Sequence, residues 1–142
     1  MILFVVLGVA ALVLIAMAYV RFTPVTADSG RPRPDAMAPG DYASEGGFYA
    51  VRALAKGADV TEMFERIVAE RDANPRAAVV RGAAPDHDIT AIQRSPAWAF
   101  PDITHIWVEG GNLHVASHLV YGRKDFDANK RIVEGVLKAA GL

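Results

Sequence analysis

The residue types able to do chemistry crowd into the last third of this chain. Residues 98–140 hold both tryptophans and three of the four histidines, His105, His114 and His118. They also hold a spaced polar series: Asp102 in Phe100-Pro101-Asp102, then Ser117, Gly122, Asp125 and Asn129. Imidazoles sharing one sheet face are potential zinc or copper ligands. Carboxylates near an imidazole are the material of acid–base catalysis. Arg123 and Lys124, beside the start of a helix, suit an anion such as a lipid phosphate. Against these readings, His114 and His118 lie about 13 Å apart if both stand on one strand, too far to share an ion. Ser117 lacks the G-x-S-x-G elbow of a strained nucleophile. No catalytic residue, metal site or cofactor is therefore expected. The candidate ligand-binding set is Asp102, His105, Trp107, His114, His118, Arg123, Asp125 and Asn129. Of the aromatics, Trp98, Phe100 and Tyr121 are expected as core or sheet cover, and Trp107 as the one able to join a partner surface.

The elements that must position these groups are legible around them. Residues 103–109 and 113–121 alternate as strands, and Gly110-Gly111 between them suits a two-residue hairpin turn. That turn sets Glu109 opposite Asn112, Val108 opposite Leu113, Ile106 opposite Val115 and Thr104 opposite Ser117. Period-two alternation then gives Ile106, Val108, Leu113, Val115 and Leu119 one face, the natural seat for helices. The other face receives Ile103, His105, Trp107, His114 and His118, and is expected to be open. A closing helix begins near Asp125 or Asp127, buries Ile132, Val133, Val136, Leu137 and Ala140, and stops at Gly141.

Upstream, residues 48–54 read as a first strand. Asp59 three residues before Glu62 has capping spacing, and Val60, Phe64, Ile67 and Val68 recur at helical spacing until Asn74-Pro75. Short strands follow at residues 77–81 and 89–94. The expected fold is α+β: an antiparallel sheet of about five strands with two helices on one face.

Residues 2–20 contain no charge. As a helix they rise roughly 28 Å, close to the hydrocarbon thickness of a bilayer. Ala16-Met17-Ala18 resembles a signal-cleavage pattern, but no Lys or Arg precedes it, so an uncleaved anchor over residues 1–22 is expected. Four prolines within residues 23–41 mark an extended, semi-stiff spacer to a globular domain at residues 42–142. Arg21, Arg31 and Arg33 weakly favour a cytoplasmic location for that domain. A net charge of −1 without a basic run argues against nucleic acid. The absence of cysteine removes disulfides and thiolate chemistry.

Phe100-Pro101-Asp102, Ser117 and the run from Gly122 through Asp125 to Asn129 resemble the domain of unknown function (DUF) family 1499. That family's pattern has F-P-D before a strand, a serine in the next strand, and G-x-S-D-hydrophobic-G-x-N opening a terminal helix. Lys124 stands where the pattern has serine and Asp127 where it has glycine. His118 replaces the arginine that often follows the strand serine. The resemblance implies a bacterial inner-membrane protein with a single span and a periplasmic domain, against the charge count. It implies no activity.

Three function classes follow. The leading one is an envelope binding or accessory module for a lipid, small ligand or protein partner, anchored in the bilayer through its N-terminal helix. The second is a hydrolase-like enzyme, which requires Asp and His side chains converging in one cleft. The third is a metal-handling protein built on His105 and His114.

Overall fold

The computed structural model describes residues 1–142. Its central hairpin turns at Gly110 and Gly111, both at positive φ (59° and 76°), as a tight turn between twisted strands requires. The turn joins β5 (Pro101–Glu109) to β6 (Asn112–Leu119), and their pairing has the expected register throughout. β4 (Asp88–Arg94) and then β3 (Ala77–Arg81) extend the sheet beyond β5. β2 (Gly47–Ala53) and then β1 (Gly40–Ser44) extend it beyond β6. The order is β1-β2-β6-β5-β4-β3, with every neighbouring pair antiparallel.

The fold is α+β, as expected, with six strands rather than five. The additional strand is β1, which carries no apolar alternation. It is held by its ladder to β2 and by Tyr42, whose ring lies 5.7 Å from that of Tyr49. Such a strand is defined by the free edge it pairs with, which no local pattern reveals.

α2 (Val60–Ala73) starts where Asp59 accepts the Glu62 N–H at 2.9 Å, and ends at Asn74, before Pro75. α3 (Ala128–Ala140) ends at Gly141, with φ 83°. Both helices cover one face of the sheet. Phe64 and Ile67 of α2, Val133 and Val136 of α3, and Ile106, Leu113 and Val115 of the hairpin are fully buried in one cluster. Each such side chain contributes roughly 1.5–3 kcal/mol by leaving water.

The opposite face is not open. Residues 23–39 are no free spacer: they lie across it as a strap. Ala27 is buried, Arg31 N–H donates to His118 Nε2 (3.0 Å), and Met37 N–H donates to the Tyr49 hydroxyl (3.2 Å). Ion pairs Arg81–Asp28 and Arg33–Asp88 fasten its sides. Prolines forbid a ladder here, but a chain already stiffened by them loses little entropy when laid on a surface. The globular body therefore begins well before residue 42.

α1 (Ile2–Phe22) projects from this body. It has 21 residues, a mean hydropathy of 2.8 in its most apolar stretch, and no buried residue. It is long and apolar enough to cross a membrane.

Candidate functional site

Strand alternation puts Asp102 and Thr104 of β5 and Ser117 of β6 on the helix-covered face, beneath the first turn of α3. Asn129 descends from that turn and gathers them. Its Nδ2 donates to Asp102 Oδ1 (3.2 Å), to Asp125 Oδ2 (2.8 Å) and, at 3.4 Å, to the Gly46 carbonyl. Its Oδ1 accepts the Ser117 hydroxyl at 2.7 Å. With that proton committed, Ser117 Oγ can only accept from Thr104, 2.9 Å away. Asn129, Asp102, Thr104 and Ser117 are all buried, so each polar atom needs these partners. Asp125, rather than Asp127, caps α3: its carboxylate accepts the Asn129 backbone N–H at 2.9 Å, while Asp127 makes no capping bond.

The two carboxyls of this network are driven apart. Burial pushes Asp102 up to about 7, opposed by the Asn129 amide and reinforced by the charge of Asp125. Burial also acts on Asp125, but hydrogen bonds from the backbone and side chain of Asn129 and from the backbone of Asp125 and Asp127 together outweigh it and hold the carboxyl below its ordinary value.

Asp102 also lies at the floor of a cavity of about 460 Å³ between the turn at residues 95–100 and the loop at residues 119–128. Its walls are Trp98, Phe100, Leu119, Tyr121 and Phe126, and Lys124 stands among them. Trp98 and Phe100 stack with ring centres 6.3 Å apart. These aromatics are not sheet cover: Trp98 is 45% exposed, Phe100 37%, Tyr121 37% and Phe126 83%. Ala99, Phe126 and Asp127 take positive φ (56°, 49° and 62°), three of the four non-glycine residues in the chain that do. Strain of this kind, roughly 1–3 kcal/mol each, collects at functional loops.

Arg94, at the end of β4, joins this cavity to α1. One guanidinium nitrogen donates to Ala99 O (3.0 Å) and to Val20 O (3.0 Å), and another donates to Thr23 O (3.2 Å). The turn that carries Trp98 and Phe100 is thereby fixed beside the last turn of the apolar helix.

The histidines lie on the other side of the sheet, under the strap. His105 stacks on His118 at 5.7 Å, and His114 stacks on Trp107 at 4.8 Å. The Tyr49 hydroxyl faces His114 Nδ1 at 2.7 Å, while His114 Nε2 faces Glu109 O at 3.2 Å. Trp107 is 2% exposed, and the Arg33 guanidinium lies 4.9 Å from its ring centre. The expectation of Trp107 as a partner surface is thus overturned, because the strap already occupies that face. Burial lowers His105, and burial together with His105 and Arg31 lowers His118 to about 4.

Of the sequence-derived candidates, the structure brings Asp102, Asp125 and Asn129 together, with Ser117 and Thr104. It separates them from His105, Trp107, His114 and His118 by the thickness of the sheet. Arg123 is exposed and takes no part in this network. Sequence reasoning placed Trp98, Phe100 and Tyr121 in the core or on the sheet, and did not single out Phe126 or Arg94. The signal for the aromatics was their place in turns, where the apolar alternation of a core element is missing. The chain matches no protein-family model and no curated protein.

Proposed function

We propose that this chain is a membrane-anchored binding module that takes the apolar part of a membrane amphiphile into the cavity between the Trp98–Phe100 turn and the Phe126 loop. The carrying observation is the contact of Arg94 with both Val20 and Ala99. It fixes an exposed aromatic cavity with a polar floor beside the end of a helix able to span a bilayer. Exposed tryptophan, tyrosine and phenylalanine at such a position suit the boundary between headgroups and acyl chains. α1 is the anchor in this reading, and the domain stands on the periplasmic side of a bacterial inner membrane, in the cell envelope. That address follows from the resemblance to DUF family 1499. The φ of Asp127 supports the resemblance only: the glycine of the pattern falls on a residue at φ 62°, where glycine is the residue of least strain.

Native mass spectrometry of the full chain, released from lipid nanodiscs, tests this reading. The strap makes residues 23–39 part of the folded body, so the full chain is used. Lipids held loosely by α1 are common to all variants. The unmodified chain should keep one more amphiphile than Trp98→Asp/Phe126→Asp, whose changes lie at exposed positions. Equal lipid counts would contradict the proposal.

A second reading rests on Asp102 and Asp125. Two carboxyls with opposite protonation tendencies are the usual material of an acid–base pair. No histidine joins them, so this would be carboxyl chemistry alone. Asp102→Asn abolishing turnover of a bound amphiphile, while sparing its binding, would favour it.

A further inference from the structure

A second cavity, of about 350 Å³, adjoins the aromatic one, and Ser95, Asp102 and Ala128 line both. The two differ in kind. Where the first is walled by aromatic rings, the second is lined by Arg71, Arg76, Arg94 and Arg131, against Glu70 and the shared Asp102. Arg71 is buried and gives its guanidinium to Glu70 and Gln93. Arg94 gives its own to backbone oxygens of Val20, Thr23 and Ala99. Arg76 and Arg131 are exposed, and their guanidinium groups are committed to no side chain or backbone oxygen. Arginine presents a planar fork that matches the oxygens of a phosphate, and such charge-assisted bonds are about twice as strong as neutral ones.

We infer that the two cavities form one amphipathic site whose ligand is a phosphate-bearing lipid. Its acyl chain lies against Trp98, Phe100, Tyr121 and Phe126, and its phosphate is taken by Arg76 and Arg131. This rests on the reading of the aromatic cavity given above and names the ligand's class. Charge complementarity selects the phosphate. Continuity of the basic cavity with the aromatic one selects a lipid over a free anion. The position agrees, because Arg94 lines the basic cavity and also holds the end of α1, where headgroups would lie.

The test uses the full chain in dodecyl maltoside, with Trp98 emission as readout and Trp98→Phe as its control. The probes are dioctanoyl phosphatidic acid, dioctanoylglycerol, which lacks only the phosphate, and inorganic phosphate. Phosphatidic acid should bind about tenfold or more tighter than the diacylglycerol. Arg76→Ala/Arg131→Ala should erase that preference and leave diacylglycerol binding unchanged. Equal affinity for the two lipids, or a preference that survives the double substitution, would overturn the phosphate assignment and leave the aromatic cavity standing. Binding of neither lipid would overturn the cavity reading and this inference with it. Inorganic phosphate displacing phosphatidic acid at equal concentration would overturn the lipid assignment in favour of a free-anion site.

Discussion

Arg94, the last residue of β4, donates to the backbone oxygen of Val20 in the final turn of α1 at 3.0 Å. A helix C-terminus presents unpaired carbonyls and a partial negative charge, and a cation there satisfies both. Because the same guanidinium holds Ala99 O, the apolar helix and the aromatic turn are linked through one side chain.

Arg94→Ala should therefore release the helix from the body and the turn from the sheet. Three acceptors lose their donor, and a destabilisation of roughly 2–3 kcal/mol is expected. Arg94→Lys should recover only part of this, since a single ammonium cannot reproduce the fork. Urea unfolding of the full chain in detergent measures both.

Asn129→Ala should destabilise more than the loss of one hydrogen bond would. It leaves the buried Asp102 carboxyl without its partner and the Ser117 hydroxyl without its acceptor, at a cost of roughly 1–3 kcal/mol for each group, while the Gly46 carbonyl keeps the Leu119 N–H. Ser117→Ala should cost less, since Thr104 can turn its hydroxyl elsewhere. The order of the two unfolding midpoints checks the network.

The buried carboxyl of Asp102 gives a pH signature. Its value in the folded chain is about 7, against an ordinary 3.8. Between those values the unfolded chain has released a proton that the folded chain keeps. Stability from this group therefore falls as pH rises through the window and levels off above about 7. Asp102→Asn has no proton to lose. Relative to the unmodified chain it should gain on the order of 2–4 kcal/mol between about pH 4 and pH 8. Unfolding curves for both proteins across that range measure the difference.

His118 gives the opposite slope. Its folded value is about 4, against an ordinary 6.5, so the unfolded chain takes up a proton first as pH falls. Stability is fully present above 6.5 and is lost as pH falls toward 4. Protonation also removes the acceptor of the Arg31 N–H, one of the bonds that hold the strap. His118→Gln keeps an acceptor without the titration, and its stability should depend less on pH in this window. Parallel urea titrations near pH 7 and pH 5 check it.

The hairpin register was legible because Gly110-Gly111 leaves one tight turn, and alternation then assigns Ile106 and His105 to opposite faces. The helix faces were legible from apolar spacing. β1 and the strap were not, because both are defined by partners distant in the chain. Gly40–Ser44 has no pattern of its own, and a proline-rich segment reads identically whether free in water or lying on a sheet. Half of the candidate site shared that fate. Asp102, Asp125 and Asn129 converge because one helical turn and one strand position hold them. The histidines carried the right face but the wrong exposure, because Arg31 and Arg33 of the strap reach them from more than seventy residues upstream. Trp98 and Phe100 read as core from the sequence because aromatics usually are. Their turn lacks the apolar alternation of a buried strand or helix, and both rings stay partly exposed.

The most direct measurement of the central claim is quenching of Trp98 by lipids brominated along their acyl chains, with the full chain in nanodiscs. Trp107, buried beneath the strap on the other face, serves as the internal reference. The predicted result is strong quenching in the unmodified chain and almost none in Trp98→Phe. Equal, weak quenching of both proteins would contradict an aromatic cavity at the bilayer surface.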